Sequence, residues 1–149
     1  MTIAVEVASD VGRLPVSLAR VERLAAAVLR AEGVKHAMLS IAFVSRRTIA
    51  ALNRRHLKRS GATDVIAFGF VPAGKRGPVV GDVYIAADVA RAQAAEFGVA
   101  YAEELLRLTV HGTLHVLGYD HPEGAGRATS AMWRRQEALL RRARRSGAR

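Results

Sequence analysis

The chain contains no cysteine in its 149 residues. Disulfides and thiolate metal sites are therefore excluded, and a reducing compartment is the simple expectation. No apolar run approaches the roughly 18 residues needed to span a bilayer. The opening Met1-Thr-Ile-Ala-Val-Glu-Val7 lacks a basic stretch and carries Glu6 early, unlike a secretory signal. A cytoplasmic protein without a membrane partner is expected. Aromatic residues are scarce, at 5%. Trp133 and Phe97 fall at helical core spacing and read as packing residues rather than base-stacking ones. Acidic residues are in deficit too: 13 Asp and Glu face 23 Lys and Arg, a net charge of +10. A polyanion is the natural partner, and nucleic acid is the commonest polyanion. A coding bias toward arginine on a solvated surface would give the same balance.

What is present is enough for one domain, residues 1–149, with a real hydrophobic core. Ile3 to Val7 reads as a short strand. Ser17 can cap a helix carrying Leu18, Val21, Leu24, Ala25, Val28 and Leu29, which Gly33 stops. Met38 to Val44 is nearly continuous in apolar residues and reads as a central strand. Ser45 can cap a second helix that holds Ile49, Leu52 and His56 and exposes Arg46, Arg47, Arg54 and Arg55, with Ser60-Gly61 as its breaker. Asp64 to Val71 reads as a third strand and Pro72 to Pro78 as a turn-rich loop. Val79 to Ile85 reads as a fourth strand, where Gly81-Asp82 marks a bulge or a close backbone approach. Asp88 to Phe97 is a helix with Val89, Ala92 and Phe97 inward, stopped by Gly98. Leu105 to Leu117 is a buried helix, with Glu103 and Glu104 in a first turn where they suit its dipole. A last helix runs from Pro122 through Met132, Trp133, Leu139 and Leu140, and residues 141–149 form a flexible basic tail. The order βαβαββααα predicts an α+β (mixed α/β) fold, a small four-stranded, mostly parallel sheet packed with about five helices.

Three of the five histidines fall within His111-Gly-Thr-Leu-His115-Val-Leu-Gly118-Tyr-Asp-His121. His111 and His115 are one helical turn apart and lie on one face. Gly118 suits a left-handed helix stop, after which the chain can return His121 to the same point. Three neutral nitrogen ligands with one open position are the arrangement of a catalytic zinc. Imidazole also suits copper, nickel and iron. The spacing HxxxHxxGxxH is shared with the metzincin proteases, but Gly112 stands where those enzymes carry a glutamate base.

The same residues carry a family resemblance. HGTLHVLGYDH is similar to the HGxLHLxGYDH signature of the YbeY family, endoribonucleases of bacterial ribosomal RNA maturation. Leu52-Asn53 resembles that family's LN pair, Thr63-Asp64-Val65-Ile66-Ala67-Phe68 its TDVLSF strand, and Gly81-Asp82-Val83-Tyr84-Ile85 its GDIxI strand. Gln93-Ala94, Glu104-Leu105 and Met132 followed by Glu137 also keep the family's order. The resemblance implies a small mixed sheet with helices and a metal at the edge of a basic cleft. It implies that His111, His115 and His121 ligate one zinc. It also implies action on single-stranded RNA, in small-subunit ribosomal RNA 3′-end maturation and ribosome quality control, with ribosomal RNA and the small ribosomal subunit as partners. There are departures. His56 and Leu57 stand where the family commonly has Tyr-Arg, an arginine held to matter for cleavage. Ala67 replaces a serine and Gly69 a proline. Arg54, Arg55, Lys58 and Arg59 lie within one or two turns of Leu57 and are candidates to hold RNA phosphates in its place.

A zinc-dependent endoribonuclease is thus the expected activity. The alternatives are a non-catalytic, zinc-braced ribosome assembly factor and a zinc metalloprotease. With Gly112 in place of glutamate, a proton acceptor must come from elsewhere. Asp82 and Asp120 are the candidates, with Asp64 behind them. Each also has a structural reading: Asp82 at a bulge, Asp64 at a turn, and Asp120 orienting a ligand imidazole.

Overall fold

The computed structural model describes residues 1–58, 61–70, 77–120 and 130–145. Its described elements follow the order β1 (Thr2–Ser9), α1 (Leu18–Ala31), β2 (His36–Val44), α2 (Arg46–Leu57), β3 (Val65–Phe70), β4 (Val79–Ala86), α3 (Ala87–Phe97), α4 (Tyr101–Val116) and α5 (Ala131–Arg145). The strands form one sheet in the order β1-β2-β4-β3. β1 and β2 pair in parallel, as do β2 and β4, and β3 closes the edge antiparallel to β4. The expected mixed, mostly parallel sheet is therefore the one observed.

Local chemistry sets the helix limits. The Ser17 hydroxyl accepts the Arg20 amide at 3.1 Å, and the Ser45 hydroxyl accepts the Thr48 amide at 3.1 Å. Each satisfies an amide that the first helical turn leaves without a partner. α2 ends at Lys58, whose φ of 53° is left-handed, before the Ser60-Gly61 pair read as its breaker. Ser60 itself lies outside the described residues. The buried Asn53 donates from Nδ2 to the Gly61 carbonyl at 3.1 Å, tying α2 to the chain that enters β3.

Helix α4 is the centre of the molecule. It packs on β3, β4, α1, α3 and α5. Leu105, Leu106, Leu108, Val110, Leu114 and Val116 are buried, as expected of a helix enclosed on nearly all sides. Its buried threonines satisfy their hydroxyls within the helix: Thr109 donates to the Leu105 carbonyl at 2.8 Å and Thr113 to the Thr109 carbonyl at 2.7 Å. The sheet's other face is covered around Val44, Ile66 and Ala86 by Ile49 of α2 and Val89 of α3.

Two expectations need correction, and a third is decided between its alternatives. Of the bulge or close approach expected at Gly81-Asp82, β4 shows the close approach and runs unbroken through the pair. A Cβ on Gly81 would lie 2.5 Å from a Val116 methyl, and one on its register partner Gly69 would lie 2.5 Å from the Val116 carbonyl oxygen. The end of α4 thus sits on a pair of glycines. Phe97 is 69% exposed and Ala92 is exposed as well, because α3 turns Ala87, Val89, Ala90 and Ala94 inward. Finally, α5 stays helical to Arg145, and Arg144 pairs with Glu103, so residues 141–145 are not a flexible tail. Pro122, read as the start of the last helix, lies outside the described residues. The described part of that helix begins where Ser130 Oγ accepts the Trp133 amide at 3.1 Å.

Candidate metal centre

His111 and His115 lie side by side on α4, with ring centroids 4.6 Å apart and planes at 79°. His111 is 3% exposed and His115 is half-buried. The helix ends as the sequence requires. The Gly118 amide donates to the His115 carbonyl at 2.9 Å and the Tyr119 amide to the Leu114 carbonyl at 3.1 Å, with Gly118 at a φ of 99°. This paired bonding is the Schellman stop, and it needs a residue without a Cβ at the left-handed position. It folds the Tyr119 carbonyl back over the last turn, where it lies 2.9 Å from His115 Nδ1. A carbonyl can only accept, so Nδ1 carries the proton and Nε2 the lone pair.

His111 reaches the same state through a side chain. Its Nδ1 lies 2.5 Å from Oε1 of Gln136 on α5. Gln136 Nε2 donates to Glu137 Oε2 at 3.0 Å, which turns its oxygen toward the histidine. Arg107 holds Glu137 with two bonds, Nε to Oε2 at 2.9 Å and Nη2 to Oε1 at 3.1 Å, and also reaches Glu104 Oε1 at 3.2 Å. Burial pushes the Glu137 carboxyl up, but the hydrogen bonds from Arg107 and Gln136 outweigh it and hold the group below the ordinary glutamate value. Glu104 goes the other way: burial raises it despite Arg107. Glu104 therefore does more than complement a dipole, since it is 7% exposed and completes a charged cluster beneath the site.

A second set of contacts braces the turn after α4. The Tyr119 hydroxyl donates to Glu32 at the end of α1, and Arg135 of α5 grips the other Glu32 oxygen with Nε at 2.9 Å and Nη2 at 2.7 Å. The hydrogen bond to Glu32 raises the Tyr119 hydroxyl above its ordinary range, and burial adds to the effect. Three successive residues of α5, Arg135, Gln136 and Glu137, thus support both histidines. Only Glu137 among them stood out in the sequence, because side-chain contacts 25 or more positions apart leave no periodic trace.

His111 and His115 therefore fit a metal ion: two neutral imidazoles, each with Nδ1 committed to an acceptor, present Nε2 as the donor atom. His121 lies outside the described residues. Among the described residues no group of three His, Cys, Asp or Glu side chains could hold a metal.

The other candidates are dispersed. Asp82 is exposed on the sheet face opposite α4, because its neighbour Gly81 faces Val116; it accepts a 2.5 Å hydrogen bond from Ser40. That placement turns Asp82 away from Val116 at the end of α4. Asp120 is exposed just past the Gly118 turn. Asp64 leads into β3, where its carbonyl accepts the Ala86 amide at 2.8 Å. Arg46, Arg47, Arg54, Arg55 and Lys58 are all exposed on or just after α2, beside Leu57, which is 44% exposed. Arg59 lies outside the described residues. Trp133 is half-buried.

The family model for endoribonuclease YbeY matches residues 8–144. The chain belongs to the YbeY family. It is 36% identical over 132 residues to the endoribonuclease YbeY of Bacillus licheniformis, covering 81% of this chain and 84% of that one. It is 41% identical over 149 residues to the Chloroflexus aggregans protein of the same name, covering 94% and 95%. The fold is similar to the solution structure of a Thermotoga maritima protein, with a TM-score of 0.60 at 21% identity over 97% of this chain and 94% of that one. Residues 111–120 of the YbeY signature thus coincide with the end of α4 and the turn that follows it. The family's LN pair is explained by Asn53, which fastens the α2–β3 connection. Its GD pair places Gly81 under α4.

Proposed function

We propose that this one-domain chain is a zinc-dependent endoribonuclease that cuts single-stranded RNA, with His111, His115 and His121 as the ligands. The observation that carries the reading is the state of the His111 and His115 imidazoles. The acceptors on their Nδ1 atoms, Gln136 Oε1 and the Tyr119 carbonyl, leave both rings as Nε2 donors one helical turn apart. When bound, the ion supplies Lewis acidity at a scissile phosphate. The chain supplies the rest: a buried, braced helix end that fixes the donors, and a basic surface on α2 that holds phosphates. Family membership supports RNA as the substrate. We extend it to ribosomal RNA of the small subunit, in 3′-end maturation and ribosome quality control in the cytoplasm.

A peptidase reading has lost its support. Gly112 does not merely lack a carboxylate; its missing side chain would point into the sheet, where a Cβ would lie 2.5 Å from Val83 Cγ1. No residue at that position could serve the site as a base. Incubating the zinc-loaded protein with an unstructured RNA and an unstructured peptide separates the classes. Chelator-sensitive cleavage of the RNA alone is expected, whereas hydrolysis of the peptide alone would reverse the assignment.

A further inference from the structure

The two histidines obtain their Nδ1 acceptors differently. His115 uses a backbone carbonyl, which no substitution removes. His111 uses a side chain, and that side chain has no conformational latitude. Gln136 is 0% exposed, so both ends of its amide must be satisfied by protein groups. Its nitrogen end faces the Glu137 carboxylate at 3.0 Å, and that carboxylate is anchored by both bonds from Arg107. Flipping the amide would set its oxygen against the carboxylate oxygen and its NH2 against His111 Nδ1. The flipped state would demand a lone pair at Nδ1 and move the imidazole proton to Nε2, the atom that has to ligate. The Arg107–Glu137 pair thus fixes the amide, and the amide fixes the tautomer.

We propose that Gln136 is a positioning residue for the metal centre: it holds His111 in the Nδ1-protonated form, with the lone pair on Nε2, before any ion arrives. This rests on the reading of His111 as a metal ligand. Outer partners of ligating histidines typically contribute 10–100-fold in metal affinity.

The test compares wild type, Gln136→Met and His111→Ala by zinc affinity and by imidazole 15N shifts of the metal-free proteins. Affinity is read by competition with a chromophoric chelator, and the shifts report which ring nitrogen holds the proton. Gln136→Met removes the acceptor at similar size. It should weaken zinc binding about 10–100-fold and release His111 from the Nδ1-protonated state. In metal-free wild type the shifts should place the His111 proton on Nδ1. Wild-type affinity and an unchanged tautomer in Gln136→Met would overturn the proposal. Should that variant not fold, a metal-free wild type with the His111 proton on Nε2 would overturn it instead. His111→Ala keeps the two questions apart: wild-type zinc affinity in that variant would remove His111 from the ligand set and leave the contacts of Gln136 a purely structural feature.

Discussion

Gly112 of α4 and Val83 of β4 approach so closely that a Cβ on the glycine would lie 2.5 Å from Val83 Cγ1 and 3.3 Å from Val65 Cγ2. Val83 is buried and its β-branched side chain is stiff, so it cannot swing aside cheaply. Gly112→Ala should therefore destabilise the fold by about 1–3 kcal/mol, even though alanine is the better helix former. Denaturant unfolding checks this. A stability equal to or above wild type would mean that α4 can lift off the sheet without cost.

Leu108 and Leu114 are 2% and 0% exposed on the same helix. Truncating either to alanine should cost about 2–5 kcal/mol. A loss near zero in equilibrium unfolding would contradict the central placement of α4.

Much of this was legible in the chain. The succession of strands and helices, the Ser17 and Ser45 caps and the Gly118 stop follow from local rules, and the structure keeps them. Side-chain alternation alone could have placed Asp82 on the face opposite α4 once Gly81 was taken as the inward residue. Phe97 misled because helical spacing marks a stripe without saying how far the partner extends; α4 covers the alanine side of α3 and leaves Phe97 outside. The cluster Glu104–Arg107–Glu137 could not be read at all. It joins α4 to α5 through charged side chains, which in a sequence resemble any solvated surface.

That cluster has a pH signature. Glu137 titrates below its ordinary value of 4.5 because Arg107 and Gln136 overcome the effect of burial. A depressed folded value means stability that is fully present above the unfolded value and lost as pH falls through the folded one. Glu104, raised by burial, has the opposite sign and loses its contribution as pH rises through its folded value. Glu137→Gln should thus flatten the loss of stability on acidification below pH 4.5. Urea unfolding across the acid range measures it; a variant with the same acid slope as wild type would contradict the pairing.

Arg46, Arg47, Arg54 and Arg55 are exposed on one helix. If they hold RNA phosphates, each one removed should weaken binding alike across RNA sequences and reduce the log–log salt slope by roughly 0.7. Charge reversal at all four that leaves affinity and salt slope intact would make the surface a solvated one.

The most direct measurement is the cleavage rate of a single-stranded RNA by wild type and by His111→Ala, His115→Ala and His121→Ala, with folding of each verified. The core around α4 is held by apolar contacts, so the variants should remain folded, lose zinc and lose cleavage together, as wild type does with chelator. Folded variants that all cleave at the wild-type rate in the presence of chelator would remove the three histidines and their metal from the reaction.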